Sequence, residues 1–243
     1  MELKGKTALV TGGSIRVGKA IALALAAEGA NLVIHYNRSQ EPAEEAAAQA
    51  RALGVQAITL GADFNDSKVV ETLFPKALTK FDAIDILVNC AAIYLRGNGL
   101  ETDRKAWEMQ FRINLKAPFL LTQAFARQLP HEKPGRVLNI ADAQINQHRP
   151  DHFAYRLTKN ALVEMTRMFA LELAPDITVN ALGLGIMLPL ADRGDVDLEV
   201  YARENVPLNR TGSPEIAAEN ALHLIKSDFT TGAFLPVDGG QYI

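Results

Sequence analysis

Thr7-Ala8-Leu9-Val10-Thr11-Gly12-Gly13-Ser14-Ile15-Arg16-Val17-Gly18 decides how the rest of the chain is read. Four strand-forming residues run into a glycine-containing turn, and an Ala-rich stretch of helical composition follows from Gly18 to Glu28. A strand, a glycine turn and a helix N-terminus bring unpaired backbone N–H groups and the positive end of a helix dipole to one point. A pyrophosphate is held by such an arrangement.

The alternation continues outward. Further strand candidates are Asn31–Tyr36, Gln56–Leu60, Ile84–Asn89, Arg136–Ile140, Ile177–Ala181 and Phe234–Val237. Several are apolar throughout, as strands covered on both faces are. Helical patterns fill Pro42–Leu53, Asp66–Phe81, Asp103–Leu129, His152–Leu173 and Pro214–Ser227. Ser213-Pro214 reads as an N-cap followed by a first helical residue, and Gly29 and Gly54 stop the helices before them. The expected fold is a single α/β domain of Rossmann type over residues 1–243, with a doubly wound, parallel, seven-stranded sheet and helices on both faces. The stretch from Gly183 to Gly212 is irregular, apart from a short helix over Val196–Glu204 and the cluster Ala191-Asp192-Arg193-Gly194-Asp195. Such excursions serve as binding loops, and this one is expected to be the substrate loop.

Composition removes several classes of function. With 25 Lys and Arg against 28 Asp and Glu, the net charge of −3 leaves no basic footprint for nucleic acid or an anionic membrane. The chain has no uncharged apolar run long enough to span a membrane and no apolar signal-peptide core at its start, so a cytoplasmic protein is expected. A single cysteine, Cys90, excludes an internal disulfide and a cysteine-built zinc cage. The histidines show no metal-ligand spacing, and no metal is expected.

The end of the second strand chooses between nicotinamide cofactors. It reads Ile34-His35-Tyr36-Asn37-Arg38-Ser39-Gln40, with no acidic residue from Gly29 to Gln40. A carboxylate there would hold ribose hydroxyls, whereas Arg38 and Ser39 offer the cation and hydroxyl that a 2′-phosphate needs. NADPH/NADP+ is therefore expected. Farther on, Tyr155 and Lys159 lie four apart in a helical pattern and share a face. A neighbouring ammonium favours the phenolate, which is expected to bring the Tyr155 pKa down toward the working range of a general acid.

These motifs resemble the short-chain dehydrogenase/reductase superfamily over essentially the whole chain. The turn departs from that superfamily's T-G-x-x-x-G-x-G in having Arg16 at the middle glycine, and this variant is most similar to the pteridine reductase family. The resemblance implies that Gly12, Arg16, Val17 and Gly18 face the phosphates, and that His35, Tyr36, Asn37, Arg38 and Ser39 surround the 2′-phosphate. Asp63 would meet the adenine beside Phe64, although it could equally cap the helix beginning near Asp66. Asn89 and Ala91, from Asn89-Cys90-Ala91-Ala92, and Gly185 and Ile186, after Val179-Asn180-Ala181-Leu182-Gly183-Leu184, would flank the nicotinamide. Asn114 matches the asparagine that supports a proton-relay water beside Lys159. Cys90 reads as a small buried hydrophobe rather than a nucleophile.

The most informative departure is Asp142, thirteen residues before Tyr155, where the superfamily places a serine. Pteridine reductases carry aspartate there, and the context Asp142-Ala143-Gln144-Ile145-Asn146-Gln147 is similar to theirs. The resemblance then implies a catalytic set of Asp142, Tyr155, Lys159 and Asn114. Arg16, Tyr94, Asp142 and Tyr155 would meet a pterin or folate-like substrate, with Tyr94 as a stacking ring. It implies NADPH-dependent C=N reduction of a dihydropteridine. The alternatives are a ketone or 3-oxoacyl reductase of the same superfamily and a catalytically silent NADPH-binding sensor. A homotetramer is expected from the superfamily and from the apolar excess of the two long helices, in Phe111, Phe119, Phe125, Leu162, Met165 and Phe169.

Overall fold

Seven parallel strands form one sheet in the order β3-β2-β1-β4-β5-β6-β7. The computed structural model describes residues 1–189 and 197–242. The strands are β1 (Thr7–Val10), β2 (Asn31–Tyr36), β3 (Ala57–Gly61), β4 (Ile86–Asn89), β5 (Gly135–Asp142), β6 (Ile177–Leu184) and β7 (Phe234–Val237). Every pairing is parallel. Alternate side chains therefore feed two cores. Ala8 and Val10 face one and Leu9 the other, all fully buried.

The first core lies under α1 (Arg16–Ala27), α2 (Gln40–Ala52) and α9 (Pro214–Lys226), which Ser213 caps as its spacing predicts. The second is covered by α3 (Ser67–Glu71), α4 (Leu73–Ala77), α6 (Ala117–Gln128) and α7 (Phe153–Glu172). Between them in sequence come α5 (Arg104–Phe111) before α6 and α8 (Leu198–Asn205) before α9. The Rossmann-type α/β expectation holds.

Two long helical patterns are interrupted, both by proline. Asp66–Phe81 divides at Thr72, because the Pro75 ring would collide with the carbonyl four residues earlier, on Glu71. Asp103–Leu129 stays continuous but widens into a π-helical turn over Arg112–Lys116, upstream of Pro118, and Asn114 sits in that turn. The expected loop begins later than Gly183, since Gly183 and Leu184 extend β6 beside Pro236 and Val237. Its short helix is α8, at Leu198–Asn205; Val196 and the cluster 191–195 lie outside the described residues. Among the described residues no helix is long and apolar enough to cross a membrane.

Phe125 is the largest fully buried side chain, edge-on to Phe74 with ring centroids 6.4 Å apart. Phe125→Ala should lower the unfolding free energy by about 3–5 kcal/mol in denaturant titration. A loss of about 1 kcal/mol or less would mean the second core can collapse around the void.

Candidate active site

The carboxyl ends of β1, β2, β4, β5 and β6 border a cavity of about 660 Å³. At one end lies the turn between β1 and α1. Thr11 donates its hydroxyl to the Val88 carbonyl at 3.2 Å and accepts the N–H groups of Cys90 and Ala91 at 2.9 and 3.1 Å. This draws the turn against the loop after β4. A Cβ on Gly12 would stand 3.0 Å from Ala91 Cα, and one on Gly18 only 2.1 Å from the Gly12 carbonyl oxygen. No side chain caps α1 and no acid occupies its first turn. Its N-terminal donors are thus left for an anion. These features fit a dinucleotide pyrophosphate.

His35 organises this turn from below. Its Nδ1 accepts the Gly12 N–H at 3.2 Å, and its Nε2–H donates to the Ala62 carbonyl at 2.9 Å. The ring stacks on Phe64 with centroids 4.0 Å apart. Both nitrogens are committed to a neutral imidazole, and burial lowers the pKa to about 4.

At the far end Tyr155 and Asp142 line the cavity together and act on one another electrostatically. Asp142 closes β5 and accepts the Gln144 N–H at 2.8 Å. Burial raises its carboxyl above the usual aspartate range. Lys159 donates from Nζ to the Ile140 carbonyl at 2.7 Å and lies 5.8 Å from the Tyr155 ring centre. The expected lowering of the Tyr155 pKa is not found. Burial and the adjacent Asp142 charge raise it well above its ordinary value, so the phenol keeps its proton. Burial pulls Lys159 the other way, below the usual lysine range.

Most of the residues expected from the sequence meet here. Gly12, Arg16, Val17, Gly18, His35, Tyr36, Asn37, Ser39, Phe64 and Ala91 line the cavity, as do Tyr94, Asp142, Tyr155, Lys159, Gly185 and Ile186. Four do not. Arg38 is exposed beside the rim. Asp63 is exposed too, and accepts the Asn65 N–H at 2.9 Å, while Asp66 supplies the cap of α3. Asn89 is buried below the cavity floor and donates to Asn139 at 2.8 Å. Asn114 clamps Ile93 through both its N–H and its carbonyl, at 2.8 and 2.9 Å, and reaches Thr158 at 3.3 Å rather than Lys159.

Tyr94 is stacked on His152 at 4.1 Å and stands edge-on to Tyr155 at 4.6 Å. Cys90 lines the wall as a neutral thiol, its pKa raised to about 11 by burial. Ser14, Arg149, Asp151, His152, Arg156, Tyr201 and Tyr242 also line the cavity without having been anticipated. Of these, Arg156 was the most findable, because it directly follows Tyr155 on a helix face already assigned to the site. Among the described residues no group of histidine, cysteine and acidic side chains could hold a metal.

A family model described as enoyl-(acyl carrier protein) reductase matches residues 14–241. The 3-oxoacyl-acyl-carrier-protein reductase of Staphylococcus aureus is 31% identical over 242 residues, covering 98% of both chains. L-xylulose reductase of Mesocricetus auratus is 32% identical, covering 98% of this chain and 97% of its own. Among solved structures, the FolM alternative dihydrofolate reductase of Brucella canis complexed with NADP superposes with a TM-score of 0.94 at 32% identity, over 99% of this chain and 95% of that one.

The His35 geometry has a consequence for acid stability. In the unfolded chain this histidine has an ordinary pKa near 6.5, so between pH 6.5 and about 4 the unfolded state binds the extra proton and stability falls as pH falls. The wild type should lose about 3 kcal/mol between pH 7 and pH 4 that His35→Gln does not lose, in paired denaturant titrations. Parallel pH profiles for the two proteins would show that His35 is protonated freely in the fold.

Proposed function

The chain belongs to the short-chain dehydrogenase/reductase superfamily, and from that premise we propose that it is an NADPH-dependent reductase of the C=N bond of a dihydropterin or dihydrofolate-like substrate. Bound in the cleft, NADPH supplies the hydride. The turn at Gly12–Gly18 and the N-terminus of α1 hold its phosphates, with Tyr36, Asn37, Ser39 and the neighbouring Arg38 at the 2′-phosphate. The NADP-bound Brucella protein supports this choice of cofactor.

One observation carries the choice of substrate: a buried carboxyl, Asp142, lies in the cavity beside the Tyr155 phenol, and burial holds both above their ordinary pKa range. Reducing a C=N bond requires a proton on nitrogen. Tyr155 gives it, and Asp142, whose raised pKa lets it hold a proton, restores the phenol. Lys159 balances the charge between them. Hydride addition to a ketone likewise puts negative charge on the acceptor atom, but a ketone brings no N–H group for the carboxylate to accept. An ionised Asp142 about 4 Å away would cost on the order of 4 kcal/mol at an effective dielectric near 20.

The 3-oxoacyl reductase reading remains the second one, favoured by the Staphylococcus relative at 31% identity. The silent sensor has nothing comparable in its favour, because Tyr155 and Lys159 are both in place. We further propose a cytoplasmic homotetramer, with a second copy on the outer groove of α5, α6 and α7. Trp107, Phe111, Phe119, Met165 and Met168 line that groove. Phe125, Leu162 and Phe169 are buried instead, so the exposed apolar surface of that groove lies in Trp107, Phe119 and Met168.

NADPH oxidation should be rapid with a 7,8-dihydropterin and at least about tenfold weaker in kcat/KM with ketones and 3-oxoacyl thioesters. Tyr155→Phe should remove nearly all activity, and Asp142→Ser should cost about tenfold or more on the pterin. The pterin rate should fall as pH rises through the raised Asp142 pKa, and Asp142→Asn should lose that limb. Efficient turnover of a 3-oxoacyl substrate with no pterin activity would establish the second reading. Light scattering at micromolar concentration should give the mass of four subunits, and a monomer mass would remove the assembly.

A further inference from the structure

Among the described residues, Arg16, Glu132, His152 and Asn209 are the non-glycine residues with a left-handed backbone. Of these only His152 is buried, at 5% exposure, and it lines the active-site cavity three residues before Tyr155. Its φ of 51° and ψ of 42° open α7 in a conformation that residues other than glycine adopt at a cost. Capping does not account for it, because the imidazole makes no cap hydrogen bond to the α7 N-terminus. Strain kept in the wall of a cavity is held there by other contacts.

The imidazole makes two. Its Nδ1–H donates to the Leu95 carbonyl at 3.3 Å, and its ring stacks on Tyr94 with centroids 4.1 Å and planes 24° apart. The main chain on either side of Tyr94 is held as well. Asn114 clamps Ile93, the Leu95 N–H donates to the Gln110 side chain at 3.3 Å, and the Gly97 carbonyl accepts the Phe153 N–H at 2.9 Å. The loop after β4 is thus pinned to the first turn of α7, and the imidazole sets the plane of the Tyr94 ring. That plane stands at 85° to the Tyr155 ring, with centroids 4.6 Å apart, so Tyr94 bounds the phenol on that side.

We propose that His152 is a positioning residue: its left-handed backbone sets the imidazole against Tyr94, and Tyr94 holds the Tyr155 phenol in the orientation from which it gives its proton. This rests on Tyr155 as the proton donor, which the pterin and 3-oxoacyl readings share, and not on the choice between them. No bond to His152 forms or breaks in the reaction. A phenol able to tilt loses its alignment with the acceptor atom, and a misplacement of about 1 Å costs up to about a hundredfold in rate.

The test compares His152→Asn, which tolerates the left-handed backbone but has no ring, with His152→Phe, which keeps a ring to stack. Turnover is read with NADPH and either 7,8-dihydrobiopterin or an acetoacetyl thioester. His152→Asn should lower kcat about tenfold on whichever compound is reduced and leave the KM for NADPH unchanged. His152→Phe should recover most of that loss. In a Tyr94→Ala background, His152→Asn should cost less than about twofold more, because its effect passes through that ring. The chain has only five tyrosines, which permits a second readout that needs no turnover. With 3-fluorotyrosine incorporated, the Tyr155 fluorine resonance of the NADP+ complex is assigned through Tyr155→Phe. It should move in His152→Asn, and adding His152→Asn to Tyr94→Ala should move it no further. Equal kcat losses in both backgrounds, or a Tyr155 resonance indifferent to His152→Asn, overturns the positioning role while the loss in Tyr155→Phe stands. A lowered melting temperature with kcat unchanged makes His152 a structural residue only and also overturns it. If the wild type reduces neither compound the reductase reading falls, and the resonance alone then upholds or overturns the placement of the phenol by His152.

Discussion

Between β1 and β4 the sheet reverses its order of growth. From β1 the chain builds β2 and β3 to one side, and then β4 to β7 to the other. Loops leaving the two strands must diverge there, which opens a crevice at their carboxyl ends. Thr11 limits how far they part. One hydroxyl, accepting two N–H groups of the β4 loop and donating to Val88, ties the phosphate turn to the wall of the far chamber. The other features of that end follow from the tie. Gly12 can lie against Ala91 only without a side chain, the α1 N-terminus points into the cleft, and His35 comes within reach of the Gly12 N–H. The resulting backbone cradle is rigid and needs no side-chain charge of its own.

The opposite end is governed by desolvation rather than by the nearest cation. At 5.8 Å from the ring centre, Lys159 would favour a phenolate by about 3 kcal/mol at an effective dielectric near 20. The Asp142 charge beside the phenol opposes it. Burial adds to the second effect and subtracts from the first, and so Tyr155 keeps its proton. Asp142 and burial thus act together on the same phenol, and a serine at this position would remove only the first of them. The chemistry proposed here depends on that pair of effects more than on the dyad.

The sheet was legible because its strands are short apolar runs with turn residues at both ends. Thr7–Val10, Asn31–Tyr36 and Phe234–Val237 have in the structure the limits their composition predicts. β5 and β6 run past theirs, through Ala141-Asp142 and Leu182-Gly183-Leu184, because the two strands stay paired in register beyond the expected ends. That departure falls at the edge facing the cavity, where side chains serve the site rather than the core. Cofactor-side residues came through because they are contiguous in sequence. Arg149, His152, Tyr201 and Tyr242 did not, because separate segments bring them together and no spacing rule joins them. Asp63 and Asn114 were read in the right neighbourhood, but their hydrogen bonds went to nearby backbone.

Arg16 shows why a departure from a motif can say more than a match. Its backbone has φ 53°, in the left-handed region, which explains why related turns place glycine at this point. A side chain here costs about 1–2 kcal/mol in backbone strain. Glycine would relieve that strain but would forfeit a contact, because Arg16 Nη2 donates to the Pro189 carbonyl at 2.9 Å. Pro189 follows the loop from Gly185 to Leu188 that walls the far chamber. The strained residue thus spans from the phosphate turn to the start of the substrate loop. Thr11 joins the two ends of the cavity through the sheet, and Arg16 joins them across its mouth.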